Sequence, residues 1–130
     1  MKSKIPLGRE KDLHKAVCDY IRLQYPKVLF NSDMSGLRLT MGQAVQAKAL
    51  RSNSGFPDIV IYEPRGIYHG LFIELKREGE RIFTKDHRPT TPHIAEQCDC
   101  MNKLEERGYC PRFAIGFDDA RIQIDFYLNL

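Results

Sequence analysis

A mixed α/β sheet with helices packed on its faces is the fold this sequence predicts, and three observations predict it. A helical apolar period runs from Glu10 to Gln24, and a second follows Thr91-Pro92. Two short β-branched or aromatic runs, Ile59 to Tyr62 and Leu71 to Lys76, stand between them. The full order reads helix, strand, helix, two strands, helix, strand, helix. Such an order builds a sheet covered by helices. With 130 residues the chain is expected to form one domain, 1–130, with residues 1–9 as a flexible basic lead-in.

The first helix carries Leu13, Ala16, Val17, Tyr20, Ile21 and Leu23 at amphipathic spacing and stops before Pro26. On a helical projection Glu10 lies about 60° from Leu13 and about 20° from Val17, so its carboxylate leans toward the buried side. It is either a first-turn acid facing the helix dipole or a group directed at the sheet. Lys27 to Asn31 reads as a short strand, and Ser32 to Leu39 as a loop. Thr40-Met41-Gly42-Gln43 fits a capping box opening an inserted helix through about Leu50. Arg38, Lys48 and Arg51 form a basic approach to Asp58, either a solvated face or a set of phosphate contacts.

Ile59 to Tyr62 is preceded by Pro57-Asp58 and ended by Glu63-Pro64-Arg65-Gly66, a turn. In Leu71 to Lys76, strand alternation puts Phe72, Glu74 and Lys76 on one face and Leu71, Ile73 and Leu75 on the other. Arg77 to Pro89 is highly charged and broken by glycine, which predicts a mobile loop where Lys85, His87 and Arg88 could clamp nucleic acid. Thr91 as N-cap and Pro92 as first residue open the next helix. Its stripe is Ile94, Cys98, Met101 and Leu104, with Gln97 inside the stripe and Gly108 at its end. A buried amide must be hydrogen-bonded, so Gln97 either ties down a backbone edge or reaches into a site. Arg112 to Phe117 reads as the last strand. Asp118 would cap a closing helix, although Ile122, Ile124 and Phe126 alternate like a strand.

The chemistry concentrates at Asp58, Glu74 and Lys76. Glu74 and Lys76 lie roughly 7 Å apart on one strand face, with Asp58 on the neighbouring strand. An isolated Glu-x-Lys is usually an exposed charge pair. Here it coincides with Pro-Asp before an apolar strand and a short hairpin-like link. Two carboxylates and the backbone carbonyl of Leu75 offer hard oxygen ligands to a divalent cation, and Lys76 can stabilise a hydroxide. Metal-assisted hydrolysis of a phosphodiester is the implied reaction.

Composition excludes little. Twenty Lys and Arg against 17 Asp and Glu give +3, which permits nucleic-acid binding without requiring it. No apolar run approaches the roughly 20 residues of a membrane span, and no signal segment is evident, so a cytoplasmic location is expected. Cys98 and Cys100 are two apart on a helix and point away from each other, so reduced structural thiols are expected rather than a metal site.

Gly55-Phe56-Pro57-Asp58, Glu74-Leu75-Lys76-Arg77, Gln97 and Gly108 together resemble the VRR-NUC branch of the PD-(D/E)xK nucleases. The resemblance spans nearly the whole chain. It implies a restriction-endonuclease-like αβββαβ core with a small helical insertion, and a helix at the C-terminus. It also implies a Mg²⁺- or Mn²⁺-dependent DNA endonuclease: Asp58, Glu74 and the Leu75 carbonyl on the metal, Glu10 helping directly or through water, Lys76 activating the nucleophile and Gln97 orienting it. His14 stands where relatives often carry Gln, which suggests a DNA or supporting contact. Chains of this size resemble phage or prophage enzymes. A homodimer resolving four-way (Holliday) junctions is the expected version; a monomeric flap or single-strand nuclease and a non-catalytic nucleic-acid-binding module are the rivals.

Overall fold

The structure is a computed structural model that describes residues 10–32 and 39–130, so the expectations for residues 1–9 and for Arg38 lie outside it. The described chain runs α1 (Glu10–Gln24), β1 (Phe30–Ser32), α2 (Met41–Ala49), β2 (Ile59–Ile61), β3 (Leu71–Lys76), α3 (Pro92–Glu106), β4 (Cys110–Ile115) and α4 (Gly116–Leu128). The four strands form one sheet in the order β1-β2-β3-β4. β1, β2 and β3 pair antiparallel, whereas β4 lies parallel to β3. Parallel neighbours need a crossover, and α3 supplies it.

Alternation along β3 separates two environments. Leu71, Ile73 and Leu75 join Ile59, Ile61, Cys110 and Ala114 in a core closed by Leu13, Val17 and Ile21 of α1 and by Ala120, Ile124 and Tyr127 of α4. Burying each Leu or Ile there contributes roughly 1.5–3 kcal/mol. Phe72, Glu74 and Lys76 project to the other face, where α3 turns in Ile94, Gln97, Cys100, Met101 and Leu104.

Several boundaries differ from expectation. β1 starts at Phe30 rather than Lys27, because Val28 N–H bonds to the Tyr25 carbonyl and closes a turn after α1. β4 starts at Cys110 and stops at Ile115, where Gly116 adopts φ 83° and turns the chain directly into α4. Asp118 therefore sits in the first turn and is not the cap; Asp119 accepts the Ile115 N–H at 2.8 Å. The C-terminal segment is helical, since Ala120, Ile124, Tyr127 and Leu128 share the buried side while Ile122 and Phe126 point outward. On α3 the inward thiol belongs to Cys100, with Cys98 half-buried.

α2 has the expected capping box, Thr40 and Gln43 bonding each other's backbone N–H. It buries no side chain. The charged segment after β3, expected to be a mobile loop, is closed by turns: Thr84 and Arg88 bond through their backbones, Phe83 bridges Pro89, and Ile82 is buried.

Candidate active site

The last antiparallel pair joining β2 to β3 is Ile59 with Ile73. Beyond it β2 has not yet begun, and the Asp58 carboxylate takes over the edge by accepting the Leu75 N–H at 2.8 Å. Asp58 is thereby held beside the Glu74-Leu75-Lys76 segment. A strand residue's carbonyl faces the same edge as its N–H, so the Leu75 carbonyl is directed toward Asp58.

Glu74 and Lys76 are 3% and 6% exposed. The Lys76 ammonium stands 3.7 Å from a Glu74 oxygen and 3.7 Å from a Glu80 oxygen. The other Glu74 oxygen, Oε1, is buried with no hydrogen-bond partner. Burial first, and then the charge and closeness of Asp58, push the Glu74 carboxyl up to about 9, against the opposing pull of Lys76. Glu10, at the start of α1, enters the same cleft; partial burial and then Asp58 raise its carboxyl too.

Gln97 comes in from α3. Its side-chain nitrogen meets His93 Nε2 at 3.3 Å, and its oxygen is buried without a partner. Gly55 makes this approach possible. Its φ is +80°, and a Cβ there would stand 2.7 Å from the Glu96 carbonyl oxygen. The loop before Asp58 can lie against the α3 backbone because that residue is glycine.

These groups line a cleft of about 350 Å³. It brings together Asp58, Glu74, Lys76, Gln97, Glu10 and Arg51 from the sequence reading. Lys48 instead lines a neighbouring hollow of about 540 Å³ that shares Arg51 and His93 with the cleft. Lys85, His87 and Arg88 are exposed on the turn-closed segment and do not line the cleft. His14 is turned inward, 5% exposed, with Nε2 against Ser32 Oγ, which removes it from direct contact with DNA. His93, Glu80 and Phe56 line the cleft without having been singled out. His93 is one turn before Gln97 on the same helix face, a signal that was available.

The cysteine thiols are free, and burial pushes each of them up. Among the described residues no three His, Cys, Asp or Glu side chains gather as metal ligands. The donors at the cleft are two carboxylates and a backbone carbonyl, a set suited to a hard cation that keeps several waters. A buried carboxylate oxygen with no partner, crowded by a second carboxylate, fits such an ion. Glu10 stands outside that donor set, which favours its acting through water.

Over its full length the chain is similar to a solved structure titled "VRR_NUC domain protein", at 25% identity and a TM-score of 0.68, covering 93% of that chain. A second, titled "VRR_NUC domain", matches at 21% identity and a TM-score of 0.48 over 88% of this chain and 96% of that one. No family model and no curated protein matches. None of the helices among the described residues is long and apolar enough to cross a membrane.

Proposed function

We propose that this chain, a VRR-NUC domain with the restriction-endonuclease-like α/β fold, is a Mg²⁺- or Mn²⁺-dependent DNA endonuclease acting on branched DNA. One observation carries the reading. Glu74 and Gln97 each bury an unpartnered oxygen at the cleft that also holds Asp58 and Lys76, so polar groups that folding leaves unsatisfied converge on a single volume.

Asp58, Glu74 and the Leu75 carbonyl would hold the cation, with Glu10 assisting through water. When bound, the ion supplies Lewis acidity, making a water more acidic and bearing charge on a phosphoryl oxygen. The Lys76 ammonium donates to the attacking hydroxide or to the phosphate, balancing charge that grows toward the transition state. Gln97 accepts a hydrogen from the attacking water and so aims its lone pair at phosphorus. Arg51 neutralises an adjacent phosphate. The water oxygen joins phosphorus as the bond to the leaving sugar oxygen breaks; the water's proton passes to solvent, and the departing oxygen takes a proton from solvent.

The preferred detailed version is a homodimer that resolves four-way junctions. Ile122 and Phe126, one turn apart on the outer side of α4 and 56% and 71% exposed, support pairing through an apolar patch. A panel of single-stranded, duplex, flap and four-way-junction DNA with Mg²⁺ or Mn²⁺ tests the proposal. Symmetric nicking of the junction is expected. Cleavage of flaps with junctions intact would leave a monomeric flap nuclease, and binding without any cleavage would leave a non-catalytic module.

A further inference from the structure

A hollow of about 560 Å³ lies beside the catalytic cleft, and its walls differ in kind. The cleft is lined by carboxylates, ammonium and guanidinium. The hollow is lined for the most part by Phe56, Phe72 and Val60, by Ala47 of α2 and by Leu50 just after that helix. Arg51 and Phe56 belong to both linings, so the two spaces adjoin.

We infer that this hollow takes an unpaired nucleobase of the DNA strand being cut, an inference that rests on the proposed nuclease reading. The hydrocarbon and aromatic part of this wall suits the flat face of a base, while Arg51, which lines both spaces, suits the adjoining phosphate. The base next to a phosphate held at Arg51 is tethered within reach of that wall. Stacking on aromatic rings accepts every base, because every base has a π-face.

The base must be unpaired because a duplex hides base faces within its stack, and only a nucleotide out of the stack can lay its face on a ring. The hollow is also not a space that α2 fills. α2 buries no side chain, and Leu50 is 86% exposed although it lines the hollow, so the helix stands off the sheet. The substrate class that follows is DNA with an unpaired nucleotide beside the scissile phosphate, such as a bulge, a flap or an opened junction centre.

The test uses the full chain without divalent metal and two duplexes that differ by one bulged fluorescent purine analogue. Wild-type protein is expected to bind the bulged duplex roughly tenfold more tightly than the perfect one, with the analogue's emission quenched. Ala47→Leu, which fills the hollow from a helix that buries nothing with a side chain that has no π-face, is expected to erase both the preference and the quenching while affinity for perfect duplex is unchanged. Phe72→Ala is expected to weaken both. Preference and quenching that persist in Ala47→Leu would overturn the inference. So would loss of a dimer in that variant, which would assign the hollow to a second copy. Wild-type cleavage with Mg²⁺ separates the two readings. Cutting without preference for the bulge sinks the hollow alone, and bulge-selective binding without cutting sinks the nuclease alone.

Discussion

Glu74 shows most clearly how one residue divides stability from activity. Its carboxyl is buried against Asp58 and held far above the ordinary range, so in the absence of a cation it costs stability that a neutral amide of the same shape does not. Glu74→Gln is therefore expected to raise the metal-free stability at neutral pH by on the order of 1 kcal/mol or more while abolishing cleavage. Thermal unfolding in the presence of a chelator checks the first half. Gly55 makes a different kind of contribution. Gly55→Ala forces a side chain into left-handed backbone and against the Glu96 carbonyl. Roughly 2 kcal/mol or more of destabilisation is expected in urea unfolding, with cleavage lowered further because Gln97 is displaced.

At the scale of elements, what joins the packed helices lies partly outside the apolar core. The phenols of Tyr20 and Tyr25 on and after α1 both donate to Asp125 of α4, at 2.6 and 2.7 Å. Burial first, and then the Asp125 bond, push the Tyr20 phenol up to about 12 from the ordinary 10.0. A group whose folded value is raised contributes stability that is complete below the unfolded value and is lost as pH rises through the folded one. Wild-type stability should hold to about pH 10 and fall toward pH 12. Tyr20→Phe should be less stable at neutral pH by about 1 kcal/mol and lose less on that alkaline climb, as chemical denaturation across the range will report.

Elements carrying a local physical signature were legible. β3 had strict alternation, α2 had its capping box, and α1 ended before Pro26. The edges of β1 and β4 were not, because a turn bond at Val28 and the backbone angle of Gly116 set them, and neither leaves a periodic trace. In α4 the outward Ile122 and Phe126 imitated strand alternation that the i, i+4 set Ala120, Ile124 and Leu128 overrides.

For the whole molecule, the cleft assembles side chains from α1, the loop before β2, β3, the segment after it and α3. Of the residues lining the cleft, Glu10 and Gln97 stood out as polar residues on helix faces that periodicity marks as buried, and Asp58, Glu74 and Lys76 stood out by motif, Pro-Asp before an apolar strand and a Glu-x-Lys pair on one strand face. His93 had a signal in its place one turn before Gln97 on the same helix face, whereas Glu80 and Phe56 had none, since one acid in a charged run and one loop aromatic look alike wherever they face. The same limit explains why charge alone did not show that Lys85, His87 and Arg88 stand outside the cleft lining, and why the two roles open to His14, a DNA contact or a supporting one, were separated only by its burial.

The central claim is that the volume between Asp58, Glu74 and Lys76 hydrolyses a phosphodiester. Cleavage of four-way-junction DNA with Mg²⁺ or Mn²⁺ by wild-type protein and by Asp58→Ala, matched for folding, tests it most directly. A loss on the order of 10²–10³-fold is predicted for the variant. Equal cleavage by the two proteins would contradict the account.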